Sequence, residues 1–269
     1  MDNITNTSEK STTKQRLTAI VIALTMVLAA LPLSYAYSYA SEQPGSEQEK
    51  NVTDSNAEKE KPRPMVAIDP GHQKYSDSRL ERFDPNKKGK KPRISGGCVG
   101  VASGVPEYKY TLKIAKKLRK ELIKRGYSVY MTRKKNNVRI SNRQRALRVN
   151  KSGAAIYIRL HCDSWGSARG VSMQYKNKTN RYVKKRVTRK NKKLSKCILK
   201  KYVKATKMKN RGMFARNDLT GSNWSKIPTT LIEMGFFSNA AEDRRMQKAS
   251  FQKKMVKGIA NGVDAYFGY

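Results

Sequence analysis

The chain has 269 residues, of which 58 are lysine or arginine and 20 are aspartate or glutamate, so its formal net charge at pH 7 is +38. Hydrophobic residues make up 38% of the chain, which suffices for a packed core and excludes collagen-like, disulfide-scaffold and multi-span membrane proteins. The basic excess indicates a polyanion or an anionic surface as a partner, without deciding between them.

The N-terminal part of the chain differs in composition from the rest. Residues 1–40 place three basic side chains before an apolar run and small residues after it, which is typical of an export signal. The alternative is an uncleaved membrane anchor, although the run is short for a bilayer span of about 20 residues. Residues 41–64 are polar and lack apolar periodicity, which predicts a flexible linker. In either case we expect residues 65–269, with 51 of the 58 basic residues, to form a domain outside the cytoplasm.

From residue 65 onward, short β-branched runs alternate with helical periodicity. The runs predict five strands, at 65–69, 128–132, 154–160, 170–175 and 229–234. Apolar residues three and four positions apart predict four helices, at 107–125, 142–151, 182–206 and 251–266. The polar, glycine-containing segment 73–104 is predicted to be a long loop. This alternation indicates an α/β fold, a single domain with a central, mostly parallel sheet flanked by helices.

Both histidines of the chain, His72 and His161, directly follow predicted strands. The carboxyl ends of the strands form the ligand-binding edge of such a sheet, so both are candidate metal ligands. A catalytic zinc site uses three protein ligands, and Glu107 is a candidate for the third. The alternative is that Glu107 only stabilises the start of its helix, because a negative charge there interacts favourably with the helix dipole. Glu233 lies in an apolar strand end. It is either a general base for a metal-bound water or a buried partner of an arginine.

These motifs resemble those of the zinc-dependent N-acetylmuramoyl-L-alanine amidases of the Amidase_3 type, in the family's order and over about residues 65–268. The matching segments are VAIDPGHQ at 66–73, the helix after Glu107, YMTRKKNNVRISNRQRALRVN at 130–150, RLHCDS at 159–164 and PTTLIEMGFFSN at 228–239. The resemblance implies that His72, Glu107 and His161 hold zinc and that Glu233 is the catalytic carboxylate. It also implies a peptidoglycan hydrolase that cleaves the amide between N-acetylmuramic acid and L-alanine.

Several arginines are candidates to orient substrate carboxylates or to support the site. Arg216 and Arg143 are the predicted substrate contacts, and Arg133 is a third candidate. The general alternative is that they are ordinary solvated side chains among the 58 basic residues.

The three cysteines also have open roles. Cys162 beside His161 suggests a thiol nucleophile, but adjacent residues of a strand point to opposite faces, which argues against this pair. A disulfide between Cys98 and Cys197 stays open from the sequence alone.

The basic helix at 182–206 is either a solvated face or a contact for anionic wall polymers such as teichoic acid. Nucleic acid is the rival partner, but it needs stacking aromatics or a known binding motif, and the 8% aromatic residues are scattered. We therefore expect no nucleic-acid binding. A catalytically silent wall-binding homologue is a further alternative, against which the intact site positions argue. The overall expectation is a secreted enzyme of the cell wall, whose only membrane contact would be an uncleaved N-terminal segment.

Overall fold

The computed structural model describes residues 62–269 of the chain. This part contains eight strands: β1 (Arg63–Pro70), β2 (Asp77–Arg82), β3 (Lys90–Ile94), β4 (Tyr127–Met131), β5 (Ile156–Asp163), β6 (Val171–Tyr175), β7 (Asn210–Ala215) and β8 (Thr229–Phe236). It also contains six helices: α1 (Glu107–Lys124), α2 (Asn142–Asn150), α3 (Lys185–Thr206), α4 (Thr220–Asn223), α5 (Ala240–Gln247) and α6 (Ala249–Phe267). None of these helices is long and apolar enough to cross a membrane. The predicted export signal or anchor at 1–40 and all but the end of the predicted linker at 41–64 lie outside the described residues.

Six strands form one sheet in the order β4-β1-β5-β8-β6-β7. Neighbouring strands are parallel except β6 and β8, which are antiparallel. The central strands β1, β5 and β8 are mostly buried and contain apolar runs, as expected for parallel strands that are covered on both faces. The α/β class and the mostly parallel central sheet are thus confirmed.

One face of the sheet, here called the apolar face, is covered by α1, α3 and α6. Ile158 and Leu160 of β5 point to this face and are fully buried in the main hydrophobic core. Two glycines of α6 allow close packing of α6 on α3. A Cβ on Gly258 would lie 2.8 Å from the Cα of Tyr202, and one on Gly262 would meet the preceding turn of α3 as closely. Larger residues at either position would therefore force the two helices apart.

The opposite face, here called the polar face, is covered by α2, α4 and the β2–β3 hairpin. Its apolar cluster is small and consists of Ala67, Ala146, Val149, Ala154, Tyr157 and Trp224. The hairpin docks on the start of α2 through Glu81, whose carboxylate accepts hydrogen bonds from the Ser141 hydroxyl and the Arg143 backbone N–H. An acid at this helix N-terminus compensates unpaired backbone donors and the helix dipole.

The structure corrects the sequence-based expectations in several places. The segment 73–104, which the sequence pattern predicts to be a loop, contains the antiparallel β2–β3 hairpin. Most of its side chains are polar or basic and at least partly exposed, so no apolar alternation marks the two strands. The edge strand β7 and the short helices α4 and α5 also lack a sequence pattern. Other boundaries differ by up to three residues, and β1 begins at Arg63, inside the predicted linker.

Candidate metal centre and cleft

His72 lies in the turn that follows β1. Its backbone φ is 56°, in the left-handed region. Gly71 passes so close to β5 that a Cβ there would lie 2.5 Å from Cε1 of His161, which requires glycine. Nδ1 of His72 is 2.9 Å from the backbone carbonyl oxygen of Ser95, and a proton on Nδ1 leaves the Nε2 lone pair available for a metal. The turn therefore presents Nε2 of His72 at the carboxyl edge of the sheet.

Glu107 is the first residue of α1 and is 2% exposed. Its Oε1 accepts a hydrogen bond from the backbone N–H of Cys162 at 2.9 Å, and its Oε2 accepts one from the backbone N–H of Cys98 at 3.1 Å. Burial by itself would raise the pKa of this carboxyl, but the hydrogen bonds and charges of His161 and His72 hold that pKa well below its ordinary value. Glu107 is therefore an ionised carboxylate in a fixed orientation.

His161 lies in β5, next to Glu233 of β8 in the register of the sheet. Its Nδ1 is 3.2 Å from Oε1 of Glu107 and 3.1 Å from Nε2 of His72. Burial lowers the pKa of His161 to about 4 despite the opposing effect of Glu107, so this ring is neutral at pH 7. At His72, burial also favours the neutral ring, but the hydrogen bond and charge of Glu107 outweigh it and raise the pKa.

The donor atoms of these three side chains lie within 4.8 Å of one another. Nδ1 of His161 is 3.1 Å from Nε2 of His72 and 3.2 Å from Oε1 of Glu107, and Nε2 of His72 is 3.3 Å from the other oxygen of Glu107, Oε2. Zinc bonds of about 2.0–2.1 Å at tetrahedral angles place ligand atoms about 3.3–3.4 Å apart, so the arrangement fits a zinc ion. Two imidazoles and one carboxylate are also a donor set of catalytic zinc sites, in which water takes the fourth position.

A cleft with a volume of about 400 Å³ opens beside these ligands and is lined by His72, His161 and Glu233, among other mostly polar residues. Oε1 of Glu233 accepts a hydrogen bond from Nε2 of Gln174 at 3.3 Å. Oε2 of Glu233 and Nε2 of His161 are buried and have no hydrogen-bond partner within residues 62–269. Because unpaired buried polar atoms are costly, these two atoms suit hydrogen bonds with water or substrate. The nitrogen of His161 that faces the other two candidate ligands is Nδ1.

The surrounding charges influence the protonation of Glu233. Burial, together with the negative charges of Glu107 and Asp163, raises the pKa of Glu233 well above its ordinary value. Arg159 and Arg216 oppose the rise, but both form their ion pairs with aspartates instead. Glu233 is therefore a buried carboxyl without an arginine partner, and a nearby dication would help to ionise it.

A buried ionic layer lies directly below the ligands. Asp69 accepts hydrogen bonds from Nη1 of Arg145 at 2.7 Å and from Nε of Arg159 at 3.1 Å. The two guanidinium groups hold the pKa of Asp69 well below its ordinary value, although burial has the opposite effect. Arg145 also donates to the backbone carbonyl of His72 at 2.9 Å, which connects the layer to a candidate ligand. The sequence analysis assigned no role to any of these three residues. The one available indication of a buried ionic group was the aspartate in the otherwise apolar run at 66–69.

Arg133 supports the same turn from its other side. Its guanidinium is buried and donates to the backbone carbonyls of Pro70 at 3.0 Å and Gly71 at 2.9 Å. It also donates to the carbonyl of Tyr108 at 2.8 Å, which joins the turn to the start of α1. Arg133 therefore holds the backbone around His72. Of the two roles considered for it, these contacts correspond to support of the site.

Of the two arginines that are predicted to contact substrate, only one lines the cleft. Arg216 lines the cleft and makes a bidentate pair with Asp218 at 2.8 and 2.9 Å. Arg143 is not among the residues that line the cleft, and its Cζ lies 4.1 Å from the ring centroid of Trp224. The geometry therefore favours Arg216 over Arg143 as a substrate contact.

All three cysteines are unbridged, so the disulfide between Cys98 and Cys197 is not formed. Sγ of Cys98 instead lies 3.4 Å from Oε2 of Glu107. Cys162 is 5% exposed and belongs to the core of the apolar face, whereas His161 points to the cleft. The structure therefore offers no thiol–imidazole pair at these two positions.

Comparison with known proteins identifies related sequences. The family described as N-acetylmuramoyl-L-alanine amidase, Amidase_3, matches residues 66–265. An N-acetylmuramoyl-L-alanine amidase of Mycobacterium tuberculosis is 25% identical over 211 residues, which cover 75% of this chain and 86% of that protein. A probable cell wall amidase, LytH, of Staphylococcus epidermidis is 30% identical over 183 residues, which cover 65% of this chain and 56% of that protein.

Solved structures show the same fold. The N-acetylmuramyl-L-alanine amidase of Mycobacterium smegmatis aligns with a TM-score of 0.68 at 21% identity, covering 76% of this chain and 97% of that structure. An N-acetylmuramoyl-L-alanine amidase of Clostridium difficile 630 aligns with a TM-score of 0.61 at 27% identity, with the same two coverages of 76% and 97%. The matched share of this chain corresponds to the folded part described above.

Proposed function

The chain belongs to the Amidase_3 family of N-acetylmuramoyl-L-alanine amidases, and from this premise we propose how its own residues cleave peptidoglycan. It is a peptidoglycan hydrolase that acts on the amide between N-acetylmuramic acid and L-alanine. The observation that carries the proposed mechanism is the meeting of His72, Glu107 and His161 beside a cleft that also contains Glu233.

His72, Glu107 and His161 are the proposed zinc ligands. The hydrogen bond of His72 to Ser95 and the two backbone donors to Glu107 orient the donor atoms before any metal binds. A zinc ion held by these residues would supply a Lewis acid for the scissile carbonyl and would make water a stronger acid and nucleophile at neutral pH.

Glu233 is the proposed general base and acid. It accepts a proton from the attacking water and then delivers this proton to the nitrogen of the leaving group. The oxygen of the water bonds to the carbonyl carbon, the C–N bond breaks, and the products are the lactyl carboxylic acid and a free L-alanine amine. A carboxyl with a raised pKa suits this role because it must hold the proton between the two steps.

Two further side chains of the cleft have supporting roles in this proposal. Gln174 donates its hydrogen bond to Oε1 of Glu233, which leaves Oε2 without a hydrogen-bond partner within residues 62–269 and available for the proton transfer. Arg216 is placed to contact a carboxylate of the stem peptide, and its pair with Asp218 fixes the guanidinium plane.

The enzyme is proposed to act outside the cytoplasm, at the cell wall. The support is the export-signal pattern at residues 1–40 and the match of residues 66–265 to a family of wall amidases. The same pattern allows secretion or retention through an uncleaved N-terminal segment.

The decisive experiment is digestion of purified peptidoglycan by the full chain, followed by mass spectrometry. We expect new L-alanine amino termini without cleavage of the sugar chain. A chelator should abolish the digestion, and added zinc should restore it. Sugar cleavage alone, or digestion that a chelator leaves unchanged, would contradict the proposed reaction or its metal dependence.

The variant Glu233→Gln tests the catalytic carboxylate separately from the metal. We expect kcat to fall by about 10²–10⁴-fold, the usual contribution of a general acid–base group. The zinc content of the purified protein should stay at the wild-type value, because Glu233 is not a proposed ligand. Glu121→Gln on α1 is the matched control and should retain wild-type kcat. An active Glu233→Gln variant would exclude this residue as the base.

A further inference from the structure

Two neighbouring concave regions share one side of α6, the first between α6 and α3 and the second between α6 and α5. The first has a volume of about 420 Å³ and is lined by Lys201, Lys204, Lys254 and Lys257, with Ala205 and Asn261. The second has a volume of about 530 Å³, shares Lys254, and adds Arg244, Arg245 and Lys248. Together these seven basic residues define what we call the basic groove.

The basic groove has a large excess of positive charge. No ion pair within the described part of the chain includes any of the seven basic residues, and no acidic residue lines either region. The neighbouring acids of α5 are buried and already occupied. Glu242 accepts the backbone N–H of Phe236 at 2.7 Å, and Asp243 accepts that of Ser103 at 2.8 Å.

The two rows of lysines are brought together by close helix packing. A Cβ on Gly258 would lie 2.8 Å from the Cα of Tyr202, which neighbours Lys201. Gly258 itself follows Lys257 of the second row. The backbones of the two rows therefore run close together, and like charges on neighbouring rows repel one another, which raises the free energy of the fold in the absence of a counter-charge. A polyanion in the groove would relieve this repulsion.

The composition of the groove restricts the class of partner. Insertion of an amphipathic helix into a membrane interface needs large apolar side chains at the contact surface, and those exposed in residues 62–269 are Leu80, Val99, Val101, Ile123, Trp165, Phe214 and Tyr269. None of them lies in α3, α5 or α6. Single-stranded nucleic acid binds through stacked aromatics, but the only aromatic residue of the groove, Phe251, is 5% exposed.

We propose that the basic groove binds a linear polyol-phosphate polymer of the cell wall. Such a chain presents repeated phosphodiesters without bases or acyl tails, and a concave surface with lysines on both sides contacts it through charge alone. The choice of a wall polymer rests on the proposed function. The groove shares no lining residue with the catalytic cleft, so the bound polymer holds the enzyme near its insoluble substrate and leaves the cleft open.

The test compares two full-length variants with equal net charge. In the groove variant, Lys201, Lys204, Lys254 and Lys257 are each replaced by glutamine. In the control variant, the same change is made at four exposed lysines of α1, which are Lys113, Lys116, Lys120 and Lys124. Binding to purified poly(glycerol phosphate) is measured at several salt concentrations, and hydrolysis of a soluble muropeptide is measured in parallel.

We expect the groove variant to bind the polymer at least about tenfold more weakly, with a smaller dependence of the binding constant on salt, because fewer phosphates are neutralised. The control variant should bind within about threefold of the wild type, since contact rather than net charge decides the affinity. Both variants should hydrolyse the soluble muropeptide at the wild-type rate.

Other outcomes would overturn the proposal. Equal losses in the two variants would mean that net charge alone attracts the polymer. If the groove variant still bound the polymer but no longer bound anionic phospholipid vesicles or single-stranded DNA, the groove would belong to that other partner. A wild-type chain that binds the polymer but hydrolyses no muropeptide would refute the proposed function and leave the groove assignment standing.

Discussion

The two faces of the central sheet differ most clearly along the single strand β5. Ile158 and Leu160 point to the apolar face and are fully buried among helices α1, α3 and α6. Tyr157, Arg159 and His161, the residues that alternate with them, point to the polar face. One strand therefore contributes both to the hydrophobic core and to the candidate catalytic site.

On the polar face, the polarity of the side chains increases toward the carboxyl edge of the sheet. Tyr157 pairs in register with Ala67, in the small apolar cluster. Arg159 pairs with Asp69 in the next row of this face, and the row after that places His161 beside Glu233. An ionic layer, in which one carboxylate pairs with two guanidinium groups, thus separates the packed part of this face from the candidate metal centre.

The comparison shows two different ways to stabilise a buried surface. Burial of apolar area contributes about 25 cal/mol per Å² and needs no exact orientation of the groups. A buried ion pair contributes little net stability because desolvation offsets its attraction, but it fixes directions strongly. The Asp69 layer therefore serves mainly to orient the turn of His72, and removal of either kind of interaction should have distinguishable effects.

The largest stability effect is expected from Asp69→Asn. This change leaves the guanidinium groups of Arg145 and Arg159 buried without their counter-charge, and loss of one partner in such a pair costs about 3–5 kcal/mol of unfolding free energy. Arg145 also holds the backbone of His72, so zinc affinity should fall as well. Denaturant unfolding and a zinc-binding titration measure the two effects.

The control for this variant is Asp77→Asn, which removes a carboxylate from a surface pair with Arg79. Surface pairs contribute little, so stability and zinc affinity should stay close to wild type. If Asp69→Asn behaves like this control, the ionic layer does not orient the site. Should the variant fail to fold, Thr132→Ala removes only one hydrogen bond to Asp69 and gives a milder test.

A stability effect without a functional effect is expected on the apolar face. Ile158→Ala should lower the unfolding free energy by about 2–5 kcal/mol, because it leaves a cavity in the core. The kcat of the folded protein should change by less than about threefold, because the side chain is separated from the cleft by the sheet. Ile158→Val is the graded control, with an expected loss of about 0.5–1.5 kcal/mol. A large fall in kcat with preserved stability would contradict the separation of the two faces.

The ionic layer also predicts a specific dependence of stability on pH. Folding lowers the pKa of Asp69 below its ordinary value of 3.8. Its stabilising contribution is therefore present above pH 3.8 and is lost progressively as the pH falls further toward the lower, folded pKa. The difference in unfolding free energy between the wild type and Asp69→Asn should narrow below that pH. A difference that stays constant from pH 7 to pH 2 would show that another group carries the acid dependence.

The sequence predicted the parts of the fold that a pattern of apolar residues marks. Each strand of the central trio has an apolar run, and the amphipathic stripe of α1 includes Tyr110, Ile114 and Leu118. The edge strand β7 and the β2–β3 hairpin escaped prediction because neither buries an apolar face. Their positions depend on tertiary contacts such as that of Glu81 with the start of α2.

The site was predictable to a similar extent. The sequence identified the residues that the structure brings together. The indications were two histidines directly after strands, and Glu107 and Glu233 in motifs that follow the order of the amidase family. The Asp69 layer was not predictable because Arg145 and Arg159 are two arginines among 58 basic residues, and only the register of the sheet shows which of them are buried. The same difficulty affects the choice between Arg216 and Arg143.

The smallest effects are expected from these two arginines, which provide a matched pair of charge removals. Arg216→Gln removes a partly exposed cation from the cleft, and a contact of this kind is worth about 1 kcal/mol or less, so KM for a soluble muropeptide should rise by up to about fivefold. Arg143→Gln removes the stacking on Trp224, which should lower the unfolding free energy by about 0.5–1 kcal/mol and leave KM unchanged. Steady-state kinetics and denaturant unfolding of both variants separate the two roles. A rise in KM for Arg143→Gln with no change for Arg216→Gln would reverse the assignment, and it would place the substrate over α2 rather than beside Asp218.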